Sequence, residues 1–268
     1  EKTAYTVRSS ERSTDPCSPT VQARDASKIY GDAAVFGTEP VAIVEGGLVN
    51  DDAITGASVS SPGAPATAPV DDGVEPIVIE TLQGLDNYAV TARDGVLTIG
   101  PRPLSLRAND ASKTYGDVAV LAPEAFRIAA GDLVNDDTVS GVTLSSAGAA
   151  APAGVAAGPY AIAIDAVAGE GLENYAITRR DGTLTVDPRP LSLRADDASK
   201  PFGESFFPAP DAFSVAGLLA GDSIAPLGFQ SDGFGANAPV AGNPYPVRIT
   251  GVEGSGLENY AVDLVDGA

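Results

Sequence analysis

The chain contains the same pattern three times, and this repetition limits the folds that it can adopt. The motif Asp-Ala-Ser-Lys-x-Tyr-Gly-Asp occupies residues 25–32 and 110–117 and returns as Asp-Ala-Ser-Lys-Pro-Phe-Gly-Glu at 197–204. A second motif, Leu-Asp/Glu-Asn-Tyr, follows at 85–88, 172–175 and 257–260. Two motifs that keep pace through three copies indicate an array of small domains rather than one large fold. The repeats predict domains at 19–100, 101–187 and 188–268, after a leader of residues 1–18.

Each copy has the pattern of short β-strands. Residues 104–108 and 191–195 both read Leu-Ser-Leu-Arg-Ala, in which apolar and polar side chains alternate. An alternation of period two sends the leucines and the alanine to one face of a strand and the other residues to the opposite face. We therefore expect Leu106 and Leu193 to be buried, and the remaining polar positions to face water: Ser105, Arg107, Ser192 and Arg194.

Turns and linkers separate these strands. The segments at 47–52 and 132–137, each ending in Leu-Val-Asn-Asp-Asp, predict a short helical turn or a tight loop. Asp-Gly at 94–95 and 181–182 is typical of hairpin turns. Pro-Arg-Pro at 101–103 and 188–190 predicts stiff linkers, because each proline fixes one backbone angle. The fold class is therefore mainly β: three tandem small domains in a rod-like array, each a sandwich or a β-grasp-like sheet with at most one short helix.

These motifs together resemble the MBG-type (YGX-like) repeat domains of bacterial secreted and surface adhesins. The resemblance rests on Lys-x-Tyr-Gly-Asp, Gly-Leu-Val-Asn-Asp-Asp, the late Asn-Tyr-Ala and the closing Gly-x-Leu-Thr-Ile/Val, and it covers about residues 19–268. The third copy departs from the pattern at 201–204, where Pro-Phe-Gly-Glu stands. The resemblance implies the stalk or filament domains of a secreted protein at the bacterial cell surface.

Composition excludes several classes of function. The chain has no His, Met or Trp and a single cysteine, Cys17, which is either free or paired with another chain. Zinc or copper sites built from His and Cys, and Ser-His or Cys-His nucleophiles, therefore lack their residues, and we expect no enzyme. The 36 acidic residues outnumber the 16 basic ones, which disfavours nucleic acid as a partner. No apolar run is long enough to predict insertion into a membrane.

The acidic turns are the one candidate for a metal site. Carboxylates of the two Asn-Asp-Asp turns, Asp51, Asp52, Asp136 and Asp137, are potential oxygen ligands for Ca²⁺. Asn and Asp also cap turns by bonding to their own backbone, which is the favoured interpretation. The third copy replaces the triplet with Ala-Gly-Asp at 220–222, so a calcium site common to all three domains is not expected. No other cofactor is predicted.

Two further residues recur in every copy. Lys28, Lys113 and Lys200 are three of only four lysines. They predict either an interdomain or isopeptide contact or, as favoured, a stem that covers the core edge while the charge pairs with a local Asp. The tyrosines of the second motif are predicted to lie in the core with the hydroxyl bonded to backbone, rather than to form a sugar-binding platform: Tyr88, Tyr175 and Tyr260.

The two ends of the sequence suggest self-assembly. The third copy stops at Asp266, Gly267 and Ala268, where the other copies continue into a closing strand. A strand of matching pattern lies in the leader: Ala4, Tyr5, Thr6 and Val7. One hypothesis is that this segment completes the third domain of another copy, head to tail. The alternatives are a fragment of a longer array, or a leader that folds back on its own chain.

Three functions remain open at this point. The leading one is an extracellular structural protein that forms a fibre or an adhesin stalk and whose partners are copies of itself. The others are a module that binds extracellular matrix or glycan, and an acidic surface-layer component stiffened by calcium.

Overall fold

A computed structural model describes residues 18–70 and 73–268. These residues form two compact units. The first unit runs up to Leu106 and includes Ile128–Gly141 and Val167–Thr178. The second comprises Arg107–Arg127, Val142–Ala166 and Arg179–Ala268. The first repeat thus lies in the first unit, the third repeat lies in the second, and the second repeat contributes to both.

The first repeat consists of two mixed sheets. Its strands are β1 (Thr20–Ala23), β2 (Ala26–Ile29), β3 (Val41–Glu45), β4 (Gly56–Ser60), β5 (Val74–Gln83), β6 (Thr91–Arg93) and β7 (Gly95–Gly100). One sheet has the order β3-β1-β6, and the other has the order β2-β7-β5-β4. The early strands pair in parallel with the late ones, β1 with β6 and β2 with β7. The beginning and the end of the repeat are therefore joined by both sheets.

The second repeat has the same strand order. Its strands are β8 (Arg102–Ala108), β9 (Ala111–Thr114), β10 (Phe126–Ala130), β11 (Thr138–Ser145), β12 (Tyr160–Glu170), β13 (Tyr175–Arg180) and β14 (Gly182–Asp187). The sheets read β10-β8-β13 and β11-β12-β14-β9. This is the topology of the first repeat, strand for strand.

The third repeat keeps the first sheet but divides the second. Its strands are β15 (Arg189–Ala195), β16 (Phe213–Ala216), β17 (Ser223–Pro226), β18 (Phe229–Gln230), β19 (Arg248–Ile249), β20 (Val252–Ser255) and β21 (Tyr260–Val265). The sheet β16-β15-β21 is accompanied by the pairs β17-β20 and β18-β19. Gly267 and Val247 exchange two backbone hydrogen bonds of 2.9 and 3.0 Å, as an isolated antiparallel bridge.

The predicted mainly β class, built from small tandem domains, is confirmed. Alternating residues of the strands form the cores, and in the first repeat Ala23 of β1 packs with Ile77 of β5 and Leu97 of β7, which belong to the other sheet. The two sheets therefore face each other as a sandwich. Among the described residues there is no α-helix, and the helical content is limited to four three-residue 3-10 segments, of which Leu172–Asn174 and Leu257–Asn259 begin the Asn-Tyr motifs.

The strand phase is as predicted, with one correction. Leu106 and Leu193 are fully buried, Arg194 is exposed, and Arg107 and Ser192 are half-buried. Ser105, however, does not face water: only 8% of its surface is exposed. The alternation correctly places it on the face opposite Leu106, but neighbouring segments cover that face as well.

The predicted hairpin turns at Asp-Gly are wrong. Asp94 connects β6 to β7, which begins at Gly95, and these strands belong to different sheets. A Cβ atom on Gly95 would stand 2.5 Å from the carbonyl oxygen of Ala23, and one on Gly182 would stand 2.5 Å from that of Asn109. These glycines are needed because two backbones approach closely, and an Asp-Gly pair in the sequence does not distinguish this from a turn.

Candidate functional site: the joint between consecutive repeats

The repeated motifs meet where one repeat contacts the next. We call these places the first joint, which lies in the first unit, and the second joint, which lies in the second unit. The first joint is formed by Tyr30, Gly31, Arg102, Val134, Asp137, Asn174 and Tyr175, and the second by the equivalent residues Tyr115, Gly116, Arg189, Leu219, Asp222, Asn259 and Tyr260.

A tight turn presents the acidic residue of the first joint. Asn135 and Asp136 have positive φ angles of 55° and 63°, and the N–H of Asp137 donates to the carbonyl of Val134 over 3.0 Å. Two central residues with positive φ make a primed turn, which Asn and Asp tolerate better than other side chains. The segment is thus the tight loop that the sequence allowed, and the loop leaves the Asp137 carboxylate to accept hydrogen bonds.

Two tyrosines from different repeats share this carboxylate. The hydroxyl of Tyr30 donates to Asp137 Oδ2 over 2.9 Å, and the hydroxyl of Tyr175 donates to the same oxygen over 2.8 Å. Tyr175 Oη also accepts from the N–H of Val134 over 2.8 Å. The two rings meet edge to face with centroids 5.7 Å apart. The predicted bond of Tyr175 to backbone is therefore present, but Tyr30 of the preceding repeat was not expected beside it.

Burial makes these hydroxyls harder to deprotonate than an exposed tyrosine. Tyr30 and Tyr175 are 4% and 7% exposed. Desolvation raises the pKa of Tyr30, and it raises the pKa of Tyr175 to about 12. The nearby negative charge of Asp137 acts in the same direction in both cases. Each phenol therefore remains a hydrogen-bond donor to Asp137 at neutral pH and keeps this role further into the alkaline range than an exposed tyrosine would.

Backbone contacts surround the hydroxyl cluster. The N–H of Val70, in the first repeat, donates to Asn174 Oδ1 over 2.8 Å, and Asn135 Nδ2 donates to the carbonyl of Ala66 over 3.1 Å. Gly31, with φ of +88°, lies so close to the second repeat that a Cβ atom there would stand 2.6 Å from Val134 Cγ2. The glycine of Tyr-Gly-Asp therefore serves both the backbone angle and the close approach.

The arginine of the first Pro-Arg-Pro linker forms hydrogen bonds with the Tyr-Gly-Asp segment. Arg102 Nη1 donates to the carbonyl of Tyr30 over 3.2 Å and to Asp32 Oδ1 over 3.3 Å. The arginine of Pro-Arg-Pro is thus part of the joint, a role that the sequence analysis missed. Its signal was the recurrence of Arg between the two prolines of both linkers.

The second joint reproduces these contacts inside the second unit. Tyr115 and Tyr260 donate to Asp222 Oδ2 over 3.1 and 2.6 Å, and their ring centroids are 5.5 Å apart. The N–H of Val155 donates to Asn259 Oδ1 over 2.7 Å, and Arg189 Nη1 donates to the carbonyl of Tyr115 over 3.2 Å. Burial raises the pKa of both tyrosines here as well.

The recurring lysines support the loops that reach the joints. Lys28 Nζ donates to the carbonyl of Pro65, and Lys113 Nζ donates to the carbonyls of Ala150 and Asp117. Burial lowers the pKa of both lysines, against the opposing effect of the charges on Asp32 and Asp117. The direct acceptors are therefore backbone carbonyls, where the sequence predicted a local Asp. The third copy differs, since Lys200 is only half-buried.

The calcium candidates fall into two groups. Asp51 and Asp136 occupy the positive-φ positions of their turns and are exposed. Asp52 accepts from Tyr88 over 2.9 Å, as Asp137 does from Tyr175. Within residues 18–70 and 73–268 no three His, Cys, Asp or Glu residues are grouped as they would be around a metal ion. Calcium binding stays a prediction.

Two further sequence predictions concern residues that the structure does not describe. The predicted donor strand from Ala4 to Val7 and the single cysteine, Cys17, both lie outside the described residues.

The fold and the joints together define a class of protein. It is an all-β tandem-repeat protein in which recurring motif residues of consecutive repeats contact each other. The chain belongs to the family of the MBG domain (YGX type), whose family model matches residues 20–98 and 104–185. None of the curated proteins compared with the chain matches it. MBG domains are structural or adhesin-type domains and are typical of surface and extracellular proteins. In the described parts of the chain, no helix has the length and apolar character needed to cross a membrane.

Proposed function

We propose that this protein is an extracellular structural repeat protein that forms a fibre or an adhesin stalk at a bacterial cell surface. One observation carries the proposal: side chains of the repeated motifs form hydrogen bonds with the next repeat. Asp137 and Asp222 each accept hydroxyls from two consecutive repeats. A repeat whose recurring polar residues contact the next repeat is suited to holding the repeats in a fixed order, as a stalk requires.

Composition supports the same function. The formal charge of −20 keeps such a chain soluble, and the absence of His and Met leaves few side chains that oxidise or titrate near neutral pH. The MBG family is typical of surface proteins, which supports secretion. The proposal includes no catalytic activity.

Electron microscopy of the purified 268-residue chain tests the proposal. A structural array is expected to show particles of constant length and shape. A double variant with Gly31→Ala and Gly116→Ala is expected to show bent particles of variable outline. Particles of variable outline in the unsubstituted chain, or no difference between the two proteins, would contradict the proposal.

Head-to-tail polymerisation by strand addition is the finer part of the proposal. In the first two repeats the strands β7 and β14 bring Leu97 and Leu184 into the core, where both are fully buried. In the third repeat Gly267 and Ala268 follow the same track: the N–H of Ala198 donates to the carbonyl of Ala268 over 2.7 Å. A cavity of about 220 Å³, lined by Lys200, Phe234 and Val247 among others, lies beside them. A segment with the alternation of Ala4 to Val7 has the side-chain pattern for this place.

Peptide addition tests strand donation. A chain that lacks residues 1–10 is expected not to assemble, and a free peptide of residues 2–8 is expected to block assembly of the intact chain, because it occupies the acceptor site without linking it to a second chain. The same peptide with Val7→Asp is the matched control, because a charge then replaces an apolar side chain of the alternating pattern, and it is expected not to block assembly. Equal assembly of the truncated and the intact chain, without peptide, would show that strand donation is wrong.

A further inference from the structure

The third repeat presents an uncovered version of the surface with which the first two repeats contact their neighbours. In the joints this surface consists of a tyrosine, a glycine and a valine whose N–H donates across the joint: Tyr30, Gly31 and Val70, and in the next repeat Tyr115, Gly116 and Val155. The equivalent residues of the third repeat are Phe202, Gly203 and Val240, which we call the forward face. Phe202 is 67% exposed and Val240 is 73% exposed, whereas Tyr30 is 4% exposed.

The backbone of the forward face has the geometry found in the joints. The φ angle of Gly203 is +94°, close to the +88° of its two equivalents. The N–H of Gly203 donates to the carbonyl of Ala236 over 3.1 Å, and Val240 follows this acceptor at the same spacing as in the other two repeats. Within the part of the chain that the structure describes, a Cβ atom on Gly203 would meet nothing within 4 Å. The face thus has the shape of a joint but no neighbour on it.

The first repeat presents the complementary surface, also uncovered. In the joints the residues that receive the preceding repeat are an aliphatic residue, an aspartate and an asparagine: Val134, Asp137 and Asn174, and in the next repeat Leu219, Asp222 and Asn259. The equivalent residues of the first repeat are Val49, Asp52 and Asn87, which we call the receiving face. Val49 is 43% exposed, and Asp52 and Asn87 are exposed. Asn174 and Asn259, by contrast, are 5% and 6% exposed.

The receiving face already has the internal hydrogen bonds of a joint. Asn50 and Asp51 both have φ angles of 58°, so the turn has the same form as its equivalent in the second repeat. Tyr88 donates to Asp52 Oδ2 over 2.9 Å and accepts from the N–H of Val49 over 2.8 Å. These are the contacts that Tyr175 makes inside the first joint. A second repeat can therefore bind without rearrangement of this turn.

We propose that the forward face of one copy binds the receiving face of a second copy and forms a joint between two chains. This inference rests on the proposed function, because it names the surfaces through which copies join in a fibre. The two joints inside the chain support it, since they are built from the equivalent residues of consecutive repeats. The contact is heterologous, so each bound copy still presents a face to the next one.

One difference between the joints gives a test by gain of binding. Phe202 can pack its ring against Tyr88, but it has no hydroxyl to donate to Asp52, so the joint between chains has one hydrogen bond fewer than the joints inside a chain. Phe202→Tyr supplies this hydroxyl and is expected to tighten self-association about tenfold, because the acceptor is charged. Sedimentation equilibrium of the full chain over a range of concentrations measures the change. Unchanged or weaker association of Phe202→Tyr overturns the proposal.

A charge on the forward face gives a test by loss of binding. Phe202→Asp places a carboxylate against Asp52 of the second copy and is expected to weaken association by about tenfold or more. The matched control is Phe207→Asp, because Phe207 is 82% exposed and its equivalents Val35 and Val120 are 88% and 90% exposed although their repeats form joints. Both are measured in about 0.5 M sodium chloride, which screens the repulsion between chains of formal charge −20. Equal weakening by the two substitutions overturns the proposal.

Mixing two blocked chains tests the direction of the contact. Val49→Arg fills the space next to Val49 that Gly203 of the second copy requires. Chains with Phe202→Asp or Val49→Arg are each expected to be monomeric where the unsubstituted chain associates, whereas their equimolar mixture is expected to form dimers and nothing larger. A monomeric mixture or larger species overturns the proposal, as does an unsubstituted chain that is monomeric at every concentration, which would leave these surfaces to a different protein. The microscopy of Gly31→Ala and Gly116→Ala concerns the internal joints alone, so failure here is distinguishable from failure of the proposed function.

Discussion

Asp137 receives one tyrosine hydroxyl from its own repeat and one from the repeat before it. Hydrogen bonds to a charged acceptor contribute more than neutral ones, and removing one partner from a buried group exposes its full desolvation penalty. Because Asp137 keeps the hydrogen bond from Tyr175 when the hydroxyl of Tyr30 is removed, the two contributions can be measured separately.

Removing the hydroxyl of Tyr30 is expected to weaken the first joint. Tyr30→Phe keeps the ring but loses the 2.9 Å hydrogen bond to Asp137, and we expect the free energy of unfolding to fall by about 1–2 kcal/mol. The control is Tyr245→Phe, whose hydroxyl donates to the neutral carbonyl of Pro239, with an expected loss of about 0.5 kcal/mol. Urea unfolding measures both. Equal losses would mean that the shared carboxylate contributes nothing particular.

Alkaline pH is expected to destabilise the joints. The pKa of Tyr175 is about 12 in the folded protein, against an ordinary value of 10.0. Because folding raises this pKa, the contribution is fully present below pH 10 and declines as the pH rises from 10 towards 12. The free energy of unfolding, measured by urea across this window, is expected to fall more steeply for the unsubstituted chain than for Tyr175→Phe. Identical slopes would contradict the assignment.

At the scale of the element, the Tyr-Gly-Asp turn combines a backbone requirement with a contact requirement. Gly31, Gly116 and Gly203 have φ angles of +88°, +88° and +94°. A Cβ atom on Gly116 would stand 2.2 Å from Leu219 Cδ1, whereas one on Gly203 would meet nothing within 4 Å. The third repeat therefore has the same turn without the contact.

Alanine at these three glycines is expected to separate the two requirements. All three substitutions strain the backbone by about 1 kcal/mol, but Gly31→Ala and Gly116→Ala also insert a methyl group into a packed joint, at about 1–3 kcal/mol more. Thermal unfolding of the three variants gives the difference. Adding Val134→Ala to Gly31→Ala is expected to recover part of the loss. If Gly203→Ala is as harmful as the other two, the joint contact is not the cause.

The strand β15 allows a direct test of phase. Leu193 is fully buried, while Arg194 is exposed and pairs with Asp197 over 2.9 Å at the surface. Leu193→Ala is expected to lower the free energy of unfolding by about 2–5 kcal/mol, and Arg194→Ala by less than about 0.5 kcal/mol. Chemical denaturation measures both, and comparable losses would mean that the strand faces the other way.

The sequence predicted the burial of strand residues where the alternation of neighbouring side chains determines it. It did not predict contacts between segments that lie far apart in the sequence. Alternation in Leu-Ser-Leu-Arg-Ala placed Leu106 and Leu193 in the cores, because period two depends on neighbours along the chain. It did not reveal that Ser105 is covered. The partnership of Tyr30 with Asp137 spans 107 residues and joins two motifs that each had a plausible role within its own repeat. Nothing local indicates such a pair.

For the whole molecule, the rod-like array stays a prediction from the Pro-Arg-Pro linkers. Three domains of about 30 Å, for strands of roughly nine residues, placed end to end would give a radius of gyration near 30 Å, against about 18 Å for a compact chain of this length. Small-angle scattering in solution distinguishes the two values. A radius near the lower value would show that the array folds back on itself.

The parallel pairing of β2 with β7 has a mechanical consequence. Residues Ala26, Ser27, Lys28 and Ile29 pair in register with Leu97, Thr98, Ile99 and Gly100. When the repeat is pulled from its two ends, β2 is drawn towards its N-terminus and β7 towards its C-terminus, so the ladder between them is sheared along its length. All of its hydrogen bonds then bear the load together. In a ladder that is opened from one end, by contrast, the hydrogen bonds break one after another and each bears the load alone. A repeat of this topology is therefore built to withstand tension along the chain.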